Sequence, residues 1–168
     1  NLLWEFTYND ATHRLHHDAT LLPNGNVLMI AWEAKTAQEA IQAGRNPVLI
    51  ADSSLWPDHI IEVQVEGPQS GEIVWEWHVW DHLVQDFDPT KDNYGVVSES
   101  FGKININNDT SNGAADWLHV NAIDYNPHLD HIVISSRHQN EILIIDHSTT
   151  TLQAASHAGG TSNKGGDF

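Results

Sequence analysis

The chemistry available to this chain is concentrated in a short histidine phrase that occurs twice. The first copy reads His-His-Asp-Ala over residues 16–19, and the second reads His-Val-Asn-Ala over residues 119–122. Side chains two residues apart share one face of an extended segment, so we expect each leading histidine to project beside the Asp or Asn two residues later. Internal repeats are typical of stacked structural units, which would bring His16 and His119 to equivalent places.

Arg137 adds a cation to the second copy, because it follows the predicted strand that comes after His119 and Asn121. The planar fork of a guanidinium binds oxyanions through two parallel hydrogen bonds. Two histidines, an amide and a guanidinium therefore favour a site for an oxyanion such as sulfate or phosphate. The alternative is that Arg137 pairs with a nearby acid such as Glu141 or Asp146.

The cluster of His13, His16 and His17 also permits a metal site, with Asp18 as a carboxylate ligand, because zinc takes three or four such ligands. No recognised zinc spacing completes this set elsewhere in the chain. We therefore predict neither a metal nor a cofactor.

The composition limits the partners. Lys and Arg number 7 against 23 Asp and Glu, so the clustered cations that nucleic acid binding requires are absent. The lack of cysteine excludes disulfides, thiolate metal sites and a cysteine nucleophile. The apolar runs are too short to span a bilayer, and we predict no membrane partner. The chain begins at Asn1 rather than Met, which suggests a mature or partial sequence.

The predicted fold class is all-β, because most of the chain reads as short strands with turns between them. Thr36–Ala43 favours a short helix that Gly44 would end. Residues 81–116 are polar, and we expect an inserted loop there with one helical turn near His82–Gln85. The predicted strands, rich in β-branched and aromatic residues, are Leu2–Tyr8, Asn26–Glu33, Pro47–Asp52, His59–Val65, Glu72–Val79, Leu118–Asp124, His131–Ser136 and Glu141–Asp146.

A second repeated phrase, Leu-Trp-Glu-Phe at 3–6 and Val-Trp-Glu-Trp at 74–77, precedes the histidine phrases. An aromatic outer strand followed by a histidine-led inner strand fits a β-propeller blade, although a sandwich could show the same strands. A propeller closes with about 4 to 8 blades, and this chain supplies about two blades plus the start of a third. The remaining blades or self-association would cover its open edges.

The expected domain organisation is one partial β-propeller domain over residues 1–168. Its first unit covers about 1–70, and its second covers about 71–150 with the inserted loop at about 81–116. The start of a third unit covers 151–168.

Three stretches of the chain resemble the PAPS-independent arylsulfate sulfotransferases. They are Asp-Trp-Leu-His-Val-Asn-Ala-Ile-Asp-Tyr-Asn at 116–126, Ile-Ser-Ser-Arg-His-Gln-Asn-Glu-Ile at 134–142, and the opening His-His-Asp with Leu-Pro-Asn-Gly-Asn within 16–26. The resemblance implies a six-bladed β-propeller and a ping-pong reaction. A histidine takes the sulfuryl group from an aryl sulfate ester and passes it to a phenol. The resemblance also implies aryl sulfate and phenol partners and a periplasmic or extracellular location.

The resemblance assigns roles residue by residue. His119, Asn121 and Arg137 would bind the sulfuryl oxygens, and His16 or its neighbour His17 would move a proton at the phenolic oxygen. His16 is the first choice, because it takes the repeat position of His119. The nucleophilic histidine of the family lies in a later blade, and none of the 12 histidines here matches it by motif. We therefore expect the 168-residue chain to hold part of the binding shell and to be inactive alone.

Two other functions stay open from the sequence. A non-catalytic β-propeller module could use the same histidines to bind anions or partners, and its complete gene would lack a later His-Asp phrase. A metal-dependent hydrolase built on the histidine cluster would carry zinc or a similar ion and would lose function with a chelator.

Overall fold

A computed structural model, which describes residues 2–168, confirms the all-β class. The strands are β1 (His13–Leu21), β2 (Val27–Glu33), β3 (Lys35–Thr36), β4 (Ser54–Leu55), β5 (Asp58–Gly67), β6 (Ser70–His78), β7 (Leu83–Val84), β8 (Ile104–Asn105), β9 (Val120–Asn126), β10 (His131–Ser136) and β11 (Glu141–Asp146). The helices are α1 (Ala37–Gln42) and α2 (Thr151–Ala154), with single 3-10 turns at Pro47–Leu49, Val79–Asp81 and Val97–Glu99. No helix in this part of the chain has the length and apolar character needed to span a bilayer.

Two antiparallel sheets position the histidine phrases. The first sheet has the strand order β1-β2-β5-β6, and the second has the order β11-β10-β9. Strand β1 of the first sheet packs against β9 of the second, so both phrases lie at the junction between the sheets. Within residues 2–168 the sheets do not close into a barrel or a ring. The blade count and the unit boundaries therefore stay predictions.

One apolar core runs through both sheets. Alternate residues of β10 are buried, as expected for an antiparallel strand with one face against the core. Fully buried side chains come from both sheets and from the segment before β9, and they include Leu28, Ile30, Ile60, Trp77, Trp117, Ile132 and Ile134. The segment that leads into the second histidine phrase is thus anchored in the core.

The predicted helix at Thr36–Ala43 is confirmed as α1. The Thr36 hydroxyl accepts a hydrogen bond from the Glu39 N–H, and the Glu39 carboxylate accepts one from the Thr36 N–H. This reciprocal pair satisfies two donors at the helix start. Gly44 follows the last turn with a φ of 100°, a left-handed conformation that glycine adopts without strain.

Two predicted strands are absent. Leu2–Tyr8 is rich in aromatic residues, yet it forms no strand, because a strand needs a neighbour to satisfy its backbone groups. The segment makes isolated contacts instead, such as the Glu5 N–H donating to the Pro68 oxygen at 2.9 Å. Pro47–Asp52 contains a 3-10 turn in which the Asn46 side chain accepts from the Val48 N–H at 3.1 Å.

The helical turn expected near His82–Gln85 does not form within those residues. A 3-10 turn lies just before it, at Val79–Asp81. Leu83 and Val84 form β7 instead, which pairs in parallel with β8. Both strands of this pair lie within the inserted segment, whose polar composition did not indicate any strand.

Arg45 ties the inserted segment to the chain that follows α1. Its side chain is fully buried, and it donates hydrogen bonds to the Ile106 backbone oxygen and to the Asp109 carboxylate. The guanidinium also lies 5.2 Å from the centroid of the Trp117 ring, within the range of a cation–π contact. Because Trp117 comes two residues before His119, the buried cation supports the approach to the second histidine phrase.

His78 makes the fold sensitive to alkaline pH. Its Nδ1 lies 3.3 Å from a Glu33 oxygen and its Nε2 lies 3.3 Å from a Glu76 oxygen. Burial disfavours the charged ring, but the two carboxylates outweigh it and raise the pKa of His78 to about 9. Unfolded histidine titrates near pH ~6.5. The contribution to stability is therefore complete below that pH and is lost as the pH rises through the folded value.

We expect the free energy of unfolding of the wild type to fall, relative to that of His78→Gln, by on the order of 1–2 kcal/mol over this alkaline range. Urea unfolding at a series of pH values measures the difference. Parallel pH profiles for the two proteins would contradict the role of His78.

Candidate functional site

Three histidines from the two sheets form a cluster, defined here as His16, His17 and His119. The rings of His17 and His119 meet edge to face, with their centroids 4.4 Å apart. The Nδ1 atoms of His16 and His17 are 2.8 Å apart. The structure therefore brings together the histidines of both repeated phrases, although about a hundred residues separate them in the chain.

The backbone turns two of these rings toward each other. His17 and His119 both have a φ of 54°, a left-handed conformation that is uncommon for residues other than glycine. The ladder shifts register between Leu15 and Ala19 of β1, and β9 has a similar shift at Asn121. Such bulges re-aim side chains and are frequent beside functional sites.

The expectation that each leading histidine shares a strand face with the Asp or Asn two residues later is wrong. His119 precedes β9 in a left-handed conformation, so the alternation of a strand does not apply to it. In the first phrase the His16 side chain is only 5% exposed, whereas Asp18 is exposed. The Asp18 carboxylate instead accepts the Ile123 N–H of β9 at 3.1 Å.

His16 lies in the back of the cluster. Its ring stacks on the Trp32 indole, with 3.9 Å between centroids, and its Nε2 lies 2.9 Å from an Asp58 oxygen. Burial lowers the pKa of His16 to about 4, and burial raises the pKa of the Asp58 carboxyl well above its usual range. His16 is therefore a neutral ring at neutral pH, shielded from solvent.

His17 is the exposed member of the first phrase. Desolvation lowers its pKa, and the neighbouring His119 and His16 lower it further. The charge of Arg137 acts in the same direction, which places this cation within electrostatic reach of the ring. His17, rather than His16, is thus the ring that a dissolved ligand can touch.

His119 is held by a carboxylate. Its Nδ1 lies 2.5 Å from an Asp116 oxygen, and the other Asp116 oxygen accepts a hydrogen bond from the Trp32 indole N–H at 3.2 Å. The ring of His138 packs nearby, 5.2 Å from that of His119 between centroids. These contacts occupy Nδ1 and leave Nε2 of His119 as the ring atom available to a ligand.

Arg137 and Asn121 complete the predicted site. The Arg137 N–H donates to the His119 backbone oxygen at 3.1 Å, so the arginine is anchored to the cluster through its backbone. Its side chain is exposed, and it forms no ion pair with Glu141, Asp146 or any other acid in residues 2–168. The side chain of Asn121 is exposed at the bulge in β9. A guanidinium and an amide are thus free to bind a ligand beside two imidazoles.

Three supporting residues were missed by sequence reasoning, namely Trp32, Asp58 and Asp116. Asp116 had a local signal, because it lies three residues before His119 within the quoted motif. Trp32 and Asp58 had none, since they reach the cluster only through the packing of β2 and β5.

A separate group of donors, formed by His82, His157 and Asp167, lies away from the histidine cluster. One ligand atom from each lies within 4.8 Å of the others. The His82 Nε2 is already 2.8 Å from the Ala154 oxygen, and the Lys103 amine is 3.2 Å from the His157 Nε2. His13, which the sequence analysis grouped with His16 and His17 as a candidate metal ligand, interacts instead with Asp10. An ammonium group beside His157 disfavours a second cation at this place.

A family model described as arylsulfotransferase (ASST) matches residues 4–158, a range that includes both histidine phrases and Arg137. No curated protein matches the chain.

Proposed function

The chain belongs to the arylsulfotransferase family, and from this premise we propose that it supplies the sulfuryl-binding part of an aryl sulfate sulfotransferase site. The observation that carries the proposal is the meeting of His17 and His119, 4.4 Å apart between ring centroids, beside an Arg137 side chain with no acidic partner in residues 2–168. Family membership supports sulfuryl transfer, with aryl sulfates and phenols as the substrate class.

The local charge supports this ligand. The chain carries a formal net charge of −16, so an anionic ester must find a cationic patch within a negative field. Arg137 offers a planar fork that matches two sulfuryl oxygens. The His119 Nε2, when protonated, and the Asn121 amide add donors from the neighbouring strand. These three groups are assigned to the oxygens of the sulfuryl group.

The proposed chemistry proceeds through two transfers at sulfur. In the first, the lone pair of a histidine nitrogen forms an N–S bond while the bond from sulfur to the aryl oxygen breaks, and the leaving oxygen takes a proton. In the second, a phenol oxygen attacks the sulfur, loses its proton, and the N–S bond breaks. We place the nucleophilic histidine outside these 168 residues, because none of the histidines present matches it by motif.

We assign the proton transfer at the phenolic oxygen to His17. The buried ring of His16, stacked on Trp32 and beside Asp58, is closed to a substrate and serves as support for His17. Desolvation lowers the pKa of His17 and so favours the neutral ring in the free site. A bound sulfuryl anion would favour its protonated form, which can then donate to the leaving oxygen.

We propose that the two sheets are blades of a β-propeller and that the protein acts in the periplasm or outside the cell. The four-stranded first sheet supports the propeller, because a blade contains four strands. The second sheet ends at β11, where Ile142 and Ile144 are exposed. Further blades or a second copy would cover this edge. The location follows from the family resemblance alone.

The test is release of p-nitrophenol from p-nitrophenyl sulfate. We expect none at an enzyme-like rate from the 168-residue chain, and release from a longer polypeptide or closed assembly that contains it. Release by the chain alone would place the nucleophile within it. A longer protein that binds the ester without releasing the phenol would favour the non-catalytic binding module. Bound zinc, with loss of activity in a chelator, would favour the hydrolase.

A further inference from the structure

Two carboxylates link the histidine cluster to the opposite sheet. Asp116, just before β9, receives the indole N–H of Trp32 from β2 of the first sheet. Asp58, on β5 of the first sheet, receives the N–H of Val120 from β9 at 3.3 Å. Each carboxylate also contacts a histidine, His119 for Asp116 and His16 for Asp58. The contacts that join the sheets therefore also hold the histidines.

We propose that Asp116 is a positioning residue that fixes the tautomer and the ring orientation of His119, so that Nε2 faces the sulfuryl oxygens. The effect of Asp116 on catalysis rests on the proposed function. Its effect on the tautomer and orientation of the His119 ring does not. Neither the family match nor the sequence motif assigns a role to Asp116.

The contact between Asp116 and His119 determines which ring nitrogen carries the proton. An ionised carboxylate only accepts hydrogen bonds, so the 2.5 Å contact to Asp116 requires a proton on Nδ1 of His119. In the neutral ring the lone pair then resides on Nε2, and in the charged ring Nε2 carries the second proton. In the neutral ring and in the charged ring alike, Nε2 is the atom that can contact the ligand.

The surroundings of Asp116 fix the orientation of its carboxylate. Its carboxylate forms no ion pair with lysine or arginine in the described residues, and its two oxygens are used by His119 and Trp32. The backbone oxygen of Asp116 lies 3.2 Å from the His138 Nδ1. The carboxylate is thus held between two aromatic donors, and its orientation is determined before any ligand arrives. A partner of this kind sets which ring nitrogen of a histidine is protonated.

The substitution Asp116→Asn tests the proposal, because an amide can donate to Nδ1 as well as accept from it. We expect the His119 signals of the 168-residue chain, in 15N NMR of labelled histidine, to move from the Nδ1–H form toward the Nε2–H form. Loss of a signal in His119→Gln identifies the residue. Asp124→Asn is the matched control, because it removes an exposed carboxylate from β9, the strand that follows Asp116.

Two further variants keep the test decisive if Asp116→Asn does not fold. Asp116→Glu retains a carboxylate, and Trp32→Phe removes the indole donor to Asp116 while an aromatic ring remains against His16. We expect Asp116→Glu to retain the Nδ1–H form and Trp32→Phe to weaken it. A His119 tautomer that is unchanged across folded Asp116 variants would overturn the proposal.

Turnover separates this inference from the proposed function. In a longer protein that releases p-nitrophenol, we expect Asp116→Asn to lower kcat by roughly 10- to 100-fold. The same change should add nothing when His119 is already alanine, since Asp116 acts through that ring. A tautomer change without any aryl sulfate turnover in the wild type would leave the positioning role intact and remove the sulfotransferase assignment. Normal turnover in Asp116→Asn would remove the positioning role alone.

Discussion

Replacing Arg137 with alanine is expected to lower the rate of sulfuryl transfer by about 100- to 1000-fold in a protein that contains this chain, the range typical for loss of one preorganised donor to a developing oxyanion. The side chain is exposed and makes no ion pair within residues 2–168, so the fold should survive the change. The backbone N–H of Arg137 donates to the His119 oxygen, which holds this residue beside the histidine cluster. The alanine variant would leave the sulfuryl oxygens without the planar, permanently charged guanidinium.

The controls for Arg137 separate charge from geometry. Arg137→Lys keeps the charge but loses the planar fork, so we expect it to recover part of the rate and not all of it. Arg14→Ala removes another exposed arginine that lacks an acidic partner in the described residues, and it should change the rate little. Equal losses in Arg137→Ala and Arg14→Ala would point to a general effect of net charge and would contradict a specific contact. The kinetics of p-nitrophenol release at constant ionic strength measure all three.

Replacing Arg45 with methionine is expected to destabilise the fold by about 3–5 kcal/mol, because the change leaves the buried Asp109 carboxylate without its partner. Both side chains are at most 1% exposed. The substitution also removes the donor to the Ile106 backbone oxygen and the cation beside Trp117. A loss of this size is a large part of the total stability of a typical domain, about 5–15 kcal/mol. Urea unfolding of the 168-residue chain measures it.

Two variants test whether the Arg45 effect comes from the buried pair. Lys91→Met removes another cation of the chain, one whose amine has only a long, exposed contact with Gln42, and it should cost little. Adding Asp109→Asn to Arg45→Met removes the orphaned charge, so the double variant should lose less stability than the sum of the two single variants. Additive losses would show that Arg45 and Asp109 act independently.

Local patterns were the reliable part of the sequence. The helix α1 was predicted because its cap is encoded by neighbours, since Thr36 and Glu39 satisfy each other's backbone groups within one turn. The strand β10 was predicted from a run of β-branched residues whose alternate members are buried. The motif around His119 and Arg137 also predicted the family that the comparison then showed. For the helix and the strand, the residues that decide the outcome lie within a few positions of one another, and each family motif is likewise a continuous stretch of the chain.

Patterns that depend on a distant partner were less reliable. The aromatic stretch Leu2–Tyr8 has the composition of a strand, but no strand of residues 2–168 pairs with it beyond an isolated bridge at Asn9. The segment at Leu83–Val84 became a strand rather than a helical turn because β8 lies beside it. Propensity for a strand is realised only where another strand completes the hydrogen bonds.

The sequence by itself predicted an all-β protein and placed two histidine phrases, an asparagine and an arginine in one candidate site. Only the tertiary structure decided that His17 rather than His16 is the exposed ring, because the ring of His16 is buried by Trp32 and Asp58, which are distant in the chain. The left-handed backbone at His17 lies within the bulge of β1, which exists only where β1 pairs with β2. Residue type shows what chemistry is available, whereas the direction of a side chain depends on contacts that form only when the two sheets pack together.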